Sequence, residues 1–289
     1  MGANLRTLAM FGVLSGLFII IGWLVGTYFV GDWLLGTLIF ISISLAINLV
    51  SYFYSSKIVL WSYKAKIIQP DAEPRLFRAV QSVCQQANMP MPRIAIVETA
   101  TPNAFATGRN KKNAVVAATT GLLDILSQEE LEGVLAHEMA HIKDRDILVM
   151  TIAATLAGAI SIAARMLFWS SFTGGGRKDG NIYLIILVAI TLPIAALLIR
   201  LAVSRNREYK ADREGALIIQ RPQALANALL KLEQGNKKRP LDRGNPASAS
   251  LFIVNPFKGS GGLMSVFMTH PPIEKRVMRL RELAKEKGI

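Results

Sequence analysis

The stretch that decides the fold runs Ser127-Gln-Glu-Glu-Leu-Glu-Gly-Val-Leu-Ala-His-Glu-Met-Ala-His141. Ser127, with Glu130 three residues later, is a capping box, and it predicts that a helix begins here. On such a helix His137 and His141 share one face, so both imidazoles can bind one metal ion. Glu138 beside them can take a proton from a water molecule that the metal activates. A pair of surface histidines next to a structural glutamate is the competing interpretation.

A catalytic metal site of this kind needs a third protein ligand and one open position. The extension that would supply a third histidine is absent, because Asp144 stands where a ligand-bearing motif would continue. The segment Ser204-Arg-Asn-Arg-Glu-Tyr-Lys-Ala-Asp212 offers a carboxylate instead. Glu208 can bind the metal while Asp212, four residues later, orients a ligand imidazole. An ordinary charged helix face, paired with neighbouring Arg and Lys, explains the segment equally well.

The composition of the chain indicates a membrane protein. Of its 289 residues, 52% are hydrophobic and 18% are charged, and the mean hydropathy is +0.36. Soluble domains are about one quarter charged. The net charge of +13 is better explained by Lys and Arg on the cytoplasmic side of membrane helices than by a nucleic-acid partner. The single cysteine, Cys84, excludes an intrachain disulfide and is expected to be a small buried residue.

Four apolar segments predict membrane helices. No charge occurs between Arg6 and Asp32 or between Asp32 and Lys57, and each stretch exceeds the roughly 20 residues that a crossing helix needs. The short link at Asp32 predicts a tight antiparallel hairpin. The later segments 147–164 and 180–199 are weaker, and a buried or interfacial hairpin competes there with two full spans.

Positive charges follow the second and fourth segments and precede the third, whereas the first hairpin loop has none. This asymmetry predicts that both termini and both large polar regions lie in the cytoplasm. The expected organisation is a transmembrane hairpin (1–56), a first protease part (57–146), a hydrophobic hairpin that spans or is partly embedded (147–203), and a second protease part (204–289).

Short runs of β-branched and small residues in the polar regions predict a small sheet with strands at 93–97 and 114–118. The further predicted helices are 75–88, 222–234 and 272–287. Residues 235–265 are rich in Gly, Ser, Asn and Lys and predict a mobile loop. The expected fold is therefore a mainly α integral membrane protein with an α+β protease domain.

The order of the motifs resembles that of the membrane zinc metallopeptidases of the HtpX type, which are relatives of the CAAX prenyl protease. The shared segments are His137-Glu-Met-Ala-His141, Ser204-Arg-x-x-Glu208-x-x-Ala-Asp212, Thr269-His270-Pro-Pro272 and Thr101-Pro-Asn103-Ala104-Phe-Ala106. The resemblance covers nearly the whole chain and departs at no catalytic position. It implies a gluzincin-like zinc protease domain, joined here to about four transmembrane helices.

The resemblance also implies which residues act on the metal. His137, His141 and Glu208 would bind one Zn²⁺ per chain. Glu138 would be the general base and then the proton donor, and Asp212 would support a ligand from the second shell.

Three further residues receive a role by resemblance. His270 would stabilise the oxyanion or position the substrate, although the sequence alone favours a loop histidine held next to prolines. Asn103 and Ala104 would bind substrate near a strand that pairs with an extended peptide, with turn chemistry at Pro102 and Asn103 as the alternative.

The two hydrophobic hairpins suggest where the site lies and what it cleaves. The second hairpin separates the metal ligands in sequence, so we expect the site close to the cytoplasmic membrane surface and membrane-protein substrates. The resemblance implies an endopeptidase for damaged or misfolded membrane proteins, acting in quality control and stress response in the bacterial inner (plasma) membrane. The alternatives are a non-catalytic scaffold or transporter, and a protease of prenylated CAAX tails.

Overall fold

The computed structural model describes residues 3–157, 204–241, 251–256 and 271–289. Its helices are α1 Ala3–Val25, α2 Trp33–Ser62, α3 Pro74–Ala87, α4 Thr120–Ile125, α5 Gln128–Lys143, α6 Asp146–Ala157, α7 Arg205–Ile219, α8 Pro222–Lys238 and α9 Ile273–Lys287. Its strands are β1 Lys66–Ile67, β2 Arg93–Val97, β3 Ala104–Thr107 and β4 Val115–Thr119. The described chain is therefore mainly helical with one small sheet, as the sequence predicts.

Helices α1 and α2 form the expected hairpin. Both are long and apolar enough to cross a membrane, with mean hydropathies of 2.4 and 2.2 over their candidate spans. At the link, Gly31 has a φ of +79°, and the Asp32 side chain accepts hydrogen bonds from the first backbone amides of α2. The hairpin is closest where Gly36 of α2 meets Gly26, the first residue of the π-helical turn Gly26–Val30 that follows α1, since a Cβ at Gly36 would lie 2.4 Å from the Gly26 Cα. These two helices indicate membrane association.

The second helix is longer than the sequence suggested. It passes through Lys57 and ends at Ser62, so its 30 residues extend roughly 45 Å. The hydrocarbon core of a bilayer is only about 30 Å thick. The surplus length packs against the protease domain, where Val59 and Tyr63 are buried.

The sheet has the strand order β1-β2-β4-β3. The β2–β4 pair is parallel, and the two outer pairs are antiparallel. Strands β2 and β4 confirm the predicted strands, the second with a shift of one residue. Strands β1 and β3 were missed because they have two and four residues and too little alternation to be detected. The missed strand β3 is the one that reaches the candidate site.

The sheet is buried on both faces, and each face contributes to a different hydrophobic core. Val116 and Ala118 of β4 enter the first core, with α3, α5, α7, α8 and α9. Val115 and Ala117 enter the second core, with α1, α2 and α6. Because alternate strand residues point to opposite faces, β4 joins the protease core to the hairpin. Residues of both predicted protease parts enter the first core.

The third and fourth apolar segments are described only in part. Residues 146–157 form α6, whose Val149, Ile152 and Ala153 are fully buried in the second core. The remainder of 147–164 and all of 180–199 lie outside the described residues. Two candidate membrane helices are thus found in the described chain, against four predicted ones.

The predicted mobile loop at 235–265 is wrong where the structure describes it. Helix α8 continues to Lys238, and residues 251–256 are mostly buried. Leu251 and Phe252 enter the second core, while Ile253 and Val254 enter the first. Composition suggested mobility, but this apolar hexapeptide is fixed by long-range packing that local sequence does not report.

Candidate metal centre

Helix α5 carries the central motif into the interior of the protein. Its capping box is present, since Ser127 Oγ accepts from the Glu130 amide at 3.3 Å and the Glu130 carboxylate accepts from the Ser127 amide at 2.8 Å. From Leu131 to Ile142 nearly every residue is buried. The histidines are therefore not a surface pair, and that interpretation is excluded.

Helix α7 crosses α5 at a very short distance, and a glycine makes this possible. A Cβ at Gly215 would lie 2.8 Å from the His137 backbone nitrogen, too close for any side chain. Glu208, Asp212 and Gly215 lie on the same buried face of α7. The close crossing thereby brings both carboxylates to the histidines of α5.

Three side chains that could each supply one metal-ligand atom converge in the interior. His137 Nε2 and His141 Nε2 are 3.2 Å apart, and the Glu208 carboxylate oxygens lie 3.5 Å from His141 Nε2 and 3.8 Å from His137 Nε2. Ligand atoms around one tetrahedral zinc ion are about 3.3 Å apart, given usual bond lengths near 2.0 to 2.1 Å. The group of His137, His141 and Glu208 therefore fits a single metal ion.

His137 is oriented by a buried ion pair behind it. Its Nδ1 lies 3.0 Å from an Asp212 oxygen, and that carboxylate accepts two hydrogen bonds from Arg276, at 2.6 and 2.8 Å. Because Asp212 only accepts, His137 Nδ1 carries the proton and Nε2 keeps a lone pair for a metal. Asp212 therefore contacts the His137 ring, and its predicted orienting role stays a prediction.

Arg276 is a site residue that the sequence analysis missed. Its side chain is 0% exposed, it donates to the Ile253 carbonyl at 2.8 Å, and it lies 3.9 Å from a Glu208 oxygen. A signal was present in the sequence of α9. Ile273, Val277 and Leu280 predict an apolar helix face, and Arg276 falls on that face, where an unpaired arginine would be costly.

His141 has a second carboxylate behind it. Its Nδ1 lies 3.7 Å from Asp146 Oδ2, which is an ion-pair distance rather than a hydrogen bond. The other oxygen of Asp146 accepts from Arg207 at 2.6 Å and from Arg6 at 3.3 Å. In the sequence, Arg6 and Asp146 stand only as charges at the ends of apolar stretches, so their place beside the site is a finding of the structure.

The surroundings shift the pKa values of these groups in different directions. Burial lowers the pKa of His137 to about 4 despite its bond to Asp212, so this ring is neutral. Burial also acts on His141, but the carboxylates of Asp146 and Glu208 outweigh it and raise that pKa to about 9. Burial, with the nearby Glu208 charge, raises the pKa of Glu138 to about 8. A pKa in this range suits a group that both accepts and returns a proton near neutral pH.

Strand β3 borders the site beside Glu138. The backbone of Ala106 faces the Glu138 carboxylate and favours its charged form, which lowers its pKa against the larger effect of burial. Asn103 and Ala104, predicted to bind substrate, are also buried here, and both contact the 251–256 segment. Asn103 Nδ2 donates to the Val254 carbonyl at 2.6 Å, and the Ala104 carbonyl accepts from the Ile253 amide at 3.4 Å.

His270 lies outside the described residues, so its predicted role stays a prediction. The next described residues, Pro271 and Pro272, lead directly into α9 and hence to Arg276. Cys84 is buried in the first core, as expected.

Comparison with known families gives a match over most of the chain. Residues 70–284 match the model of peptidase family M48. The Protease HtpX homolog of Pyrococcus furiosus is 49% identical over 291 residues, covering 100% of this chain and 98% of the relative. The homolog of the same name from the bacterium Syntrophobacter fumaroxidans is 45% identical, covering 98% of this chain and 100% of the relative.

Among solved structures, the chain is similar to the crystal structure of S. mikatae Ste24p. The TM-score is 0.50 at 18% sequence identity, and the match covers 96% of this chain. It covers 65% of the Ste24p chain, so this protein spans about two thirds of that structure. At this level of identity the likeness concerns the fold.

Proposed function

We propose that this chain is a zinc-dependent membrane endopeptidase. The premise is that it belongs to peptidase family M48 and is a metalloprotease. The observation that carries the proposal is the buried convergence of His137, His141 and Glu208, with Glu138 on the same helix. Two imidazoles and one carboxylate form a ligand set typical of catalytic zinc.

One Zn²⁺ per chain is the proposed cofactor, held by His137, His141 and Glu208. When bound there, zinc supplies Lewis-acid chemistry toward a water molecule and the scissile carbonyl. Asp212 keeps His137 in the tautomer that binds a metal, and Arg276 holds Asp212 and Glu208 in place. Nitrogen and oxygen ligands also suit other divalent ions, so the metal must be tested directly.

Glu138 is the proposed general base. Its carboxylate accepts a proton from the attacking water and returns it to the amide nitrogen of the leaving group. The backbone of Ala106 in β3 favours the charged form of this carboxylate. His270 is proposed to stabilise the oxyanion or to position the substrate, from the motif that precedes α9.

Asn103 and Ala104 are proposed to bind the substrate backbone at the edge of β3. In the structure that edge contacts residues 253 and 254, so an extended substrate would take over hydrogen bonds that this segment now makes. Asn103→Ala should therefore raise KM for a peptide more than it lowers kcat. An effect on kcat alone would count against a role in substrate binding.

Membrane proteins are the proposed substrates, especially damaged or misfolded ones, in quality control and stress response. Support comes from the position of the site: α5 is followed within two residues by α6, and α6 packs with α1 and α2 in the second core. A substrate already in the bilayer would meet the site at little entropic cost. The distribution of Lys and Arg favours a multi-pass protein whose site and termini lie on the cytoplasmic side of the plasma membrane. The relatives come from archaea and bacteria, and the bacterial inner membrane is our proposal for this chain.

Proteolysis by the purified full chain tests the proposal. The protein is stripped of metal, refilled with zinc, and assayed on casein and on a membrane-inserted substrate, beside Glu138→Gln. We expect activity that returns with zinc, favours the inserted substrate, and falls by about 10² to 10⁴ in the variant. Equal activity in Glu138→Gln would remove the proposed general base, and equal rates on both substrates would remove the proposed substrate class.

A further inference from the structure

Arg6 of the first membrane helix reaches the surroundings of the metal site. Its Nη1 donates to Asp146 Oδ1 at 3.3 Å, although the two residues are 140 positions apart in sequence. The side chain of Arg6 is 20% exposed and that of Asp146 is 6% exposed. A charge from the hairpin is thus placed in contact with a carboxylate that faces the ligand His141.

The two carboxylate oxygens of Asp146 have different partners, and this difference determines how the carboxylate is oriented. Both Arg6 and Arg207 donate to Oδ1, while Oδ2 faces the imidazole of His141. A carboxylate held by two donors on one oxygen cannot rotate freely about its last bond. Its second oxygen is therefore kept on the side of the ligand.

Packing fixes the position of Arg6. One turn later in α1, Met10 is fully buried, and Leu14 follows it on the same face. Both lie in the second core with residues of α6, such as Val149 and Ile152. Asp146 is the first residue of α6. The packing of α1 and α6 in the second core therefore also brings Arg6 to Asp146.

We propose that Arg6 is a positioning residue for His141, so that the first membrane helix completes the support of the metal site. The inference rests on the proposed metal site and adds a role for the hairpin beyond anchoring the protein. Without Arg6, Arg207 would be the one arginine left on Asp146 among the described residues. The Oδ2 atom of Asp146 would then be less well oriented, and His141 would be a weaker ligand. Metal affinity then depends on how α1 docks against α6.

Zinc affinity of the full chain in nanodiscs tests this, measured by competition with a chelator. Removal of a residue that supports a ligand costs about 10- to 100-fold in metal affinity, and Arg6 acts one contact further away, so Arg6→Gln should weaken zinc binding by about 3- to 10-fold. Arg6→Lys keeps the charge and should restore the wild-type affinity. Lys66→Gln is the matched control, because it removes a cation from an exposed pair with Glu98 and should change nothing.

A double-mutant cycle separates positioning from general weakening. Arg6→Gln should be non-additive with Asp146→Asn, because both act through one carboxylate, and additive with Asp212→Asn on the other side of the metal. Wild-type affinity in Arg6→Gln, or a lower melting temperature with unchanged affinity, would overturn the proposal. If Arg6→Gln does not fold, Met10→Ala loosens its anchor and should also weaken zinc binding; unchanged affinity there would equally overturn it. A wild-type protein that binds no zinc would instead overturn the metal site itself.

Discussion

Each of the two histidines of the site has a carboxylate behind its ring that is paired with arginine, but the distances and the helices that supply these partners differ. Behind His137, Asp212 is in hydrogen-bond contact and receives two bonds from Arg276. Behind His141, Asp146 is at a longer ion-pair distance. The first set of partners comes from α7 and α9 of the protease core, and the second comes from α6, α7 and α1. The site thus has a rigid side within the protease core and a looser side that faces the membrane helices.

The largest effect should come from breaking the rigid side at Arg276. Arg276→Met would leave the Asp212 carboxylate buried without its partner, which costs about 3 to 5 kcal/mol of folding free energy. The Ile253 carbonyl would lose its donor as well. We expect a large drop in melting temperature and loss of zinc binding, measured by thermal denaturation and metal content.

Arg276→Lys is the matched control for this change. It keeps the charge but cannot donate two bonds in one plane to Asp212, so its stability should fall between wild type and Arg276→Met. A variant without Arg276 that melts and binds zinc like wild type would show that the rigid side is not what holds His137.

A smaller loss of stability should follow from a side chain at Gly215 that forces α7 away from α5. Gly215→Ala places a methyl group 2.8 Å from the His137 backbone nitrogen, and forced overpacking of this kind costs about 1 to 3 kcal/mol. Because Glu208 lies on the same helix, zinc affinity should fall together with stability. Gly12→Ala, at a position with nothing within 4 Å, is the control. Wild-type zinc binding in Gly215→Ala would mean that α7 can shift without moving its ligand.

A direct comparison of the two aspartates sharpens the contrast. Asp212→Asn should weaken zinc binding by about 10- to 100-fold, the usual cost of losing a carboxylate behind a ligand imidazole. Asp146→Asn should cost less, because its contact with His141 is 3.7 Å rather than 3.0 Å. Chelator competition on both variants gives the order. The reverse order would place the controlling support on the membrane side.

A pH dependence of zinc affinity should belong to one side only. The pKa of His141 is raised to about 9, so a proton occupies this ring at neutral pH and must leave before a metal binds. Zinc affinity should then rise about tenfold per pH unit up to that pKa. By the same linkage, protonated His141 stabilises the metal-free protein below about pH 6.5, and that stabilisation is lost as the pH rises through about 9.

Asp146→Asn should move this pH dependence to lower pH, since it removes a charge that raises the pKa of His141. Asp212→Asn should leave it in place, because His137 is already neutral across that range. Zinc titrations at several pH values check both expectations. A profile that shifts in Asp212→Asn and not in Asp146→Asn would contradict the assignment of the proton to His141.

The rigid side could be predicted from the sequence further than the membrane side. His137, Glu138 and His141 follow from spacing on a capped helix. Glu208 and Asp212 share one face of another helix, but spacing left an ordinary charged face equally possible, and only the family resemblance favoured the ligand role. Arg276 escaped because its partner lies 64 positions away, although its place on an apolar face was a usable signal. Periodicity reports which face of a helix is buried, but it does not report what that face meets.

The contacts on the membrane side could not be predicted from local sequence patterns. Arg6 and Asp146 each end an uncharged stretch, and nothing in the local sequence indicates a contact between them. Their pairing depends on how α1 packs against α6, which is decided by Met10 and Leu14 in the second core. The burial of residues 251–256 was not predicted for the same reason. Composition predicts a loop there, and only tertiary packing fixes the segment.

The zinc-edge X-ray absorption spectrum of protein loaded with one equivalent of zinc, read together with zinc content, tests the central claim most directly. The account predicts one zinc per chain in wild type and in Glu138→Gln, with two imidazole ligands, oxygen and no sulfur. It also predicts that Glu208→Ala retains little zinc. Wild-type protein that binds no zinc, or Glu208→Ala that binds it as tightly with the same spectrum, would contradict a site formed by His137, His141 and Glu208.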